Sequence, residues 1–594
     1  MTTLDSITVD IIENALKNIK EEMDVTLFRS AMSPVIREQH DCFPMITDKS
    51  GQMVVGNFGS HVPEVLDHFP EGINEGDVIF VSDPYSCGGS ISHINDWMII
   101  FPIFYEGSVI GYSSMFGHVM DVGSAVPCSM PVTAQTIYAE GVRFPPLKLY
   151  DKGVLNEAII RIMQANTRTP LENYSDLMAI VASCRTAEKR VIELVKRFGV
   201  ETYELALDSL LDRTNKMMRN LIQNFLPEEK ASFEDFIDDD GLGNGPYKMK
   251  LTIWREGDHA YFDWDGTDPQ APGPINYYLS ESMFKMFIGS YLIAVFDPAI
   301  NFNDGFYDVL HINTPEGSLM RPIQPAALGC RTHALSRLFD VLGGVLSLNT
   351  PANSPAAGYG TSPYFIFSGI DEKGRPFNLM EVMYGGLPGR PIGDGLDGHS
   401  WWPAFVNIPT EYLETYYPLL VNSYKTGTYS VGAGLHRGGN CNEKSYTFLA
   451  DGTVSIHEDR AKIQPWGING GEPGSNSSKR LIKKDGTVLE LPSKIDFVEV
   501  EKGDQIEFIT AGSGGWGDPL ERSPEQVQLD VKRGLVSVGK AGQSYGVVLD
   551  ENLDIVTTET ALLRQQLQTE RGQLAPFNFG NRPEVEDTLL GGVV

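Results

Sequence analysis

The sequence predicts an α+β protein: mixed β-sheets in a barrel-like arrangement, a helical insertion, and a Gly/Pro-rich bundle of polyproline-II-like segments. Three observations lead there. Residues 42–120 alternate short apolar runs with tight turns such as Asp48-Lys49-Ser50-Gly51 and Glu106-Gly107, the pattern of hairpins. Residues 156–226 carry apolar side chains at helical spacing, as in the Met217, Met218, Leu221, Ile222 stripe. Beyond residue 350, Gly and Pro become dense while Trp, Leu and Ile persist between them, which a flexible linker would lack.

Taken in order, residues 5–31 form the first helix, with Ile12, Leu16, Ile19 and Met23 on one face and Asp5 or Ser6 as its cap. Residues 43–47 and 52–56 make a hairpin, and 78–81 a buried strand. A central hairpin pairs 97–105 with 108–116. Helices follow at 156–166, 171–195 and about 200–226. Alternation returns at 249–254 and 259–264, then helices at 280–294 and 330–346. Short strands (444–449, 453–457, 496–500, 505–510) separate Gly-rich segments 385–391, 432–439, 467–474 and 512–519. Their glycines permit close backbone approach, and Ser523-Pro524-Glu525-Gln526 opens a helical tail.

Composition excludes several partners. A net charge of -31 argues against nucleic acid and anionic membrane surfaces, which need a basic face. No apolar run has the length of a membrane span, and the start MTTLDSITVD lacks the basic and apolar regions of a signal peptide. Six scattered cysteines without a CxxC pair read as reduced thiols, so a cytoplasmic location is expected.

The candidate chemistry gathers around the central hairpin. His93 and Asp96 stand three residues apart just ahead of its first strand, and Gly117-His118 closes its second. A hairpin brings these groups to one end, and two imidazoles with a carboxylate are donors that suit a divalent metal. The competing reading has both histidines serving buried backbone carbonyls. Asp41, beside the first strand, is either a turn residue or a further oxygen ligand.

Other motifs carry less. Gly534 to Ala541 nearly matches a Walker A loop, but Ala541 replaces the hydroxyl that would hold Mg²⁺ and no buried strand precedes it, so it reads as a turn between helices. Gly241-Leu242-Gly243-Asn244-Gly245 lacks the context of a nucleotide fingerprint, and no GxSxG elbow occurs. Asp397 to Phe405 packs Trp401, Trp402, Phe405 and His399 into one loop, either a hydrophobic plug or the apolar wall of a cavity.

Several stretches together resemble one family. Ser82-Asp83-Pro84-Tyr85, Gly88-Gly89, His93-x-x-Asp96, Gly117-His118 and Glu140 to Leu149 look like the hydantoinase B/oxoprolinase family. So do Gly432 to Gly439, Pro465-Trp466-Gly467, Gly514 to Arg522, and 530–548. The resemblance spans about 5–550. It implies a divalent metal, Zn or Mn, on Asp41, His93, Asp96 and His118, with His93, Asp96 and His118 catalytic. It also implies ATP bound by a hydantoinase A-like ATPase partner rather than by this chain, and it allows for a small additional partner. The central motif departs from the usual GGTHLPD, reading Gly88-Gly89-Ser90-Ile91-Ser92-His93-Ile94-Asn95-Asp96, and Val119 replaces the second histidine of GHH. Those departures look more like the ketone carboxylases.

Three functions follow from the resemblance. The first is a component of an ATP-dependent acetone/acetophenone carboxylase, joining a ketone and bicarbonate into a β-keto acid. The second is the B-type component of a hydantoinase, oxoprolinase or lactamase acting on a cyclic amide. The third is a non-catalytic scaffold. The regions expected are a metal-site β domain (1–154), the helical insertion (155–230), an α/β middle (231–350), the Gly/Pro-rich region (351–520) and the helical tail (521–594).

Overall fold

The computed structural model describes residues 4–402 and 405–581. The chain divides into two compact units. The first comprises Met1–Ser232, Leu251–Arg331 and Pro403–Ile408; the second comprises Phe233–Lys250, Thr332–Trp402 and Pro409–Val594.

An antiparallel seven-stranded sheet organises the first unit. Its strands are β1 (Cys42–Thr47), β2 (Met53–Gly56), β3 (Val78–Val81), β4 (Asp96–Tyr105), β5 (Ser108–His118), β6 (Leu147–Asp151) and β7 (Val154–Leu155). They lie in the order β2-β1-β5-β4-β3-β6-β7. β4 and β5 are apolar without clear alternation because both faces are covered. Ile99, Phe101 and Ile103 enter the cluster shared with the helices, whereas Met98 and Ile100 join Phe43, Val62 and Ile79 on the opposite face.

The helices of this unit are α1 (Ser6–Ser30), α2 (Pro34–Arg37), α3 (Val62–Leu66), α4 (Glu157–Ala165), α5 (Pro170–Phe198), α6 (Val200–Phe225) and α7 (Glu281–Phe296). Asp5 caps α1, accepting from the Thr8 N–H at 3.0 Å. Pro170 stands in the first turn of α5, and Gly199, at φ +85°, ends that helix where most side chains would be strained. Leu177, Ile180, Cys184, Ala187 and Val191 form a buried stripe on α5, which packs on β4 and β5. The segment read as an insertion therefore covers one face of the sheet.

The barrel-like arrangement is not formed. Among the described residues every sheet is open, and the seven-stranded one ends in β2 and β7. Those edge strands are four and two residues long, too short to pair along the sheet and close it. No helix of the described residues is long and apolar enough to cross a membrane.

The second unit holds two further antiparallel sheets. One orders Pro376–Val382, Tyr364–Ile370, Gly452–His457 and Lys494–Val500; the other orders Leu419–Thr426, Asn442–Phe448, Gln505–Ile509, Ser478–Ile482 and Val488–Leu491. Beside them the Gly-rich segments pack backbone on backbone. Gly432 N–H donates to Ser513 (2.8 Å), Gly439 to Leu387 (2.8 Å) and Gly389 to Gly514 (2.9 Å). A Cβ at Gly514 would land on the Trp466 carbonyl, so only glycine fits there. Every residue of the helix Thr332–Ser347 except Phe339 is buried, Arg337 and Asp340 included.

Candidate functional site

Register decides which side chains meet at the end of the central hairpin. Pairing of β4 with β5 sets Asp96 opposite His118, and pairing of β1 with β5 sets Cys42 opposite Gly117. The His118 N–H donates to the Asp41 carbonyl at 3.0 Å, locking the residue before β1 to the end of β5. His93 lies one turn ahead of β4, its carbonyl accepting from the Asp96 N–H at 3.3 Å. The four residues singled out in the sequence therefore share one end of the sheet, and all are buried.

Their side chains converge. His93 Nε2 lies 2.9 Å from Asp96 Oδ1, and His118 Nδ1 lies 3.5 Å from that oxygen and 3.7 Å from Asp41 Oδ2. Donor atoms of His93, Asp96 and His118 all fall within 4.8 Å of one another. Asp41 stands just outside that trio. Burial, reinforced by the Arg331 charge, pushes His93 down to about 3, so its ring is neutral. Burial alone would raise Asp96, but His93, hydrogen bonds from both imidazoles and Arg331 outweigh it and hold the carboxyl well below its usual range. Burial pushes Asp41 up to about 6, with the Asp96 charge adding to it.

This donor set fits a divalent cation. His93 Nε2 and His118 Nδ1 both face Asp96 Oδ1, and two imidazoles, one of them neutral, beside an ionised carboxylate are a donor set that suits such an ion.

Sequence reasoning passed over the residues around this trio. Arg331 donates through Nε to Ser92 Oγ (2.8 Å) and through Nη2 to Asp96 Oδ2 (3.4 Å). Its only sequence signal is the polar first turn of the 330–346 stretch. His61, buried and pushed down to about 3 by burial, places Nε2 3.2 Å from Ser114 Oγ. Glu140 Oε1 accepts from the Leu328 N–H (2.7 Å) and the Gly329 N–H (2.6 Å), which anchors the segment leading to Arg331. Glu140→Ala would strand both buried N–H groups at about 1–3 kcal/mol each and loosen Arg331. Glu140→Gln keeps an acceptor, so thermal unfolding should separate the two variants, with Ala the less stable. Equal midpoints would discard this anchoring role.

The aromatic loop behaves as packing. Within the second unit Trp401 stacks near Phe339 (6.1 Å between ring centroids), and Trp402 Nε1 donates to Ser362 Oγ (2.9 Å). Within the first unit Phe405 lies 5.8 Å from Phe43. Pro403 and Ala404 of this loop lie outside the described residues. The Walker-like stretch begins in the turn after the helix Pro524–Lys532 and runs into the helix Val538–Gln543, which contains Lys540 and Ala541. Ser537 caps the second of these, and Lys540 Nζ sits 3.7 Å from Glu472 Oε2.

Similarity to known proteins identifies the class. The family model for hydantoinase B/oxoprolinase matches residues 5–519, and the chain belongs to that family of enzymes. It is 30% identical to a putative D-/L-hydantoinase, the B component, of Pseudomonas sp. (strain NS671), over 95% of this chain and 98% of that one. It is 25% identical to the delta component of acetophenone carboxylase from Aromatoleum aromaticum, over 88% and 84% respectively. The crystal structure of the ATP-dependent caprolactamase from Pseudomonas jessenii superposes with a TM-score of 0.86 at 28% identity, covering 95% of this chain and 100% of that one. Both sequence relatives are named as subunits of larger assemblies.

Proposed function

We propose that this chain is the metal-dependent component of an ATP-dependent complex that opens a cyclic amide such as a hydantoin or lactam. The observation that carries this reading is similarity along nearly the whole length to a hydantoinase B component and to a caprolactamase, at higher identity and coverage than to the ketone carboxylase component. His93, Asp96 and His118 would hold a Zn or Mn ion, with Asp41 as a fourth ligand. Such an ion supplies Lewis acidity toward a carbonyl oxygen or lowers the pKa of water.

The chain's own residues set the conditions. Register fixes Asp96 and His118 on β4 and β5, while His93 in the turn ahead of β4 and Asp41 just before β1 are each tied to a strand end by a backbone hydrogen bond. Asp96 stays ionised, and Asp41, which burial holds up to about 6, gives up its proton when it serves as the fourth ligand. ATP is assigned to a hydantoinase A-like partner, since Ala541 after Lys540 carries no hydroxyl and no strand leads into this helix. All six cysteines are buried thiols outside any disulfide, which suits a reducing cytoplasm.

Ketone carboxylation is the second reading, favoured by the Gly88-to-Asp96 motif and by Val119 in place of histidine. The assembled complex decides between them. With ATP, a hydantoin or lactam should stimulate ADP release with ring opening and no label retained from ¹⁴C-bicarbonate. Label fixed into an acid-stable β-keto acid only when a ketone is present would replace this reading by carboxylation. A complex whose turnover survives complete removal of divalent metal would leave the chain a scaffold.

A further inference from the structure

Arg331 is delivered to the site by a segment tied down residue by residue. Asn276 Nδ2 donates to the Ala327 carbonyl (3.1 Å), and Glu140 accepts from Leu328 (2.7 Å) and Gly329 (2.6 Å). The Cys330 N–H donates to the Pro274 carbonyl (2.9 Å) and the Arg331 N–H to the Leu328 carbonyl (3.0 Å). The arginine so placed is 7% exposed. Nε and Nη2 are engaged by Ser92 and Asp96. Nη1 is buried and has no hydrogen-bond partner among the described residues.

That is an unusual state for arginine. A guanidinium keeps its charge under all conditions and offers five N–H donors, and buried donors in folded proteins are almost always met. Asp96 supplies little spare acceptor capacity, because His93 and His118 already crowd Oδ1. A fixed cation with one N–H group dry and unmet, beside a cluster of candidate ligands, is placed to receive an oxyanion.

We propose that Arg331 Nη1 forms an oxyanion subsite beside the His93–Asp96–His118 centre. It takes an oxygen of an anionic group, phosphoryl, carbonate or carboxylate, on the substrate or co-substrate. The inference rests on the reading that this cluster is the reaction centre. Arg331 would touch the ligand directly, and its bond to Asp96 would fix the angle at which the ligand arrives.

Calorimetric titration of the metal-loaded full chain with inorganic phosphate, and separately with bicarbonate, tests it. Arg331→Met should weaken at least one of these anions about tenfold or more, the scale of losing one charge-assisted contact, while metal content stays at the wild-type level. Arg331→Lys should fall between wild type and Arg331→Met because an ammonium keeps charge but loses the planar fork. Which anion responds identifies the source: phosphate for a phosphorylated substrate, bicarbonate for a carboxyl donor. The subsite is overturned if neither anion binds the wild-type chain, or if both bind the Arg331→Met chain undiminished. It is equally overturned if Arg331→Met loses its metal, since Arg331 would then only position Asp96. Should Arg331→Met fail to fold, undiminished anion binding by Arg331→Gln overturns it instead. Wild-type protein that carries no divalent metal but binds phosphate through Arg331 would support the subsite and sink the metal reading, so the two fail separately.

Discussion

His93→Ala is expected to empty the site, leaving less than about a tenth of an equivalent of divalent metal and lowering turnover of the assembled complex by about a thousandfold or more. Three donor atoms within 4.8 Å of one another leave little redundancy, and the lost imidazole is the neutral, fully buried one. The fold should survive, because β4 and β5 are held by a ten-pair backbone register whose core residues are untouched. Circular dichroism would therefore match wild type while elemental analysis would not. Asp41→Asn makes the graded comparison. Its carboxylate sits 3.7 Å from His118 and outside the tight trio, so metal affinity should fall about 10–100-fold rather than vanish. A His93→Ala chain that keeps a full equivalent of metal and its activity would remove this cluster from the mechanism.

The site was legible in the sequence to the extent that it is local. His93, Asp96 and His118 flank one hairpin, and a tight turn at Glu106-Gly107 brings its two ends together, with the strand register then setting Asp96 opposite His118. Asp41 could be only half read, because its role depends on β1 pairing with β5, some seventy residues on. Arg331 was out of reach for the same reason: it lies 235 positions from Asp96, and a polar helix start is equally compatible with capping. The fold divided similarly. The helix start at Asp5 follows from capping chemistry, and the Gly-rich segments from the need for close backbone approach. Closure of a barrel does not follow from alternation, which reports a strand's faces but not whether the last strand meets the first. The least legible feature was the charge buried in the second unit, where Arg337 and Asp340 interrupt an otherwise apolar helix.

That buried charge gives the second large effect. Arg337→Met should destabilise the protein by about 3–5 kcal/mol, the usual result of removing one partner from a buried ionic group. Arg337 Nη2 lies 2.6 Å from Asp459 Oδ2, and Nη1 lies 3.3 Å from Asp235 and 3.4 Å from Asp340. Arg460 supplies the second cation, 2.6 Å from Asp340 and 3.0 Å from Asp235. All five side chains are at most 1% exposed, so water cannot take over the hydrogen bonds that Met would drop. Asp459 has one other close cation among the described residues, Lys494 Nζ at 3.1 Å from Oδ1, which cannot also span Asp235. Arg337→Lys should recover little, since one compact ammonium cannot reach three carboxylates lying in the directions of a planar fork. Replacing Asp459 as well, in Arg337→Met/Asp459→Asn, removes one stranded charge and should restore part of the loss, a coupling that a double-mutant cycle reads directly. Denaturant titration followed by fluorescence, with both single variants and the double, is the measurement. Strictly additive losses would show that the two side chains do not act as a pair, and an Arg337→Met midpoint equal to wild type would show that this interior tolerates its carboxylates without the guanidinium.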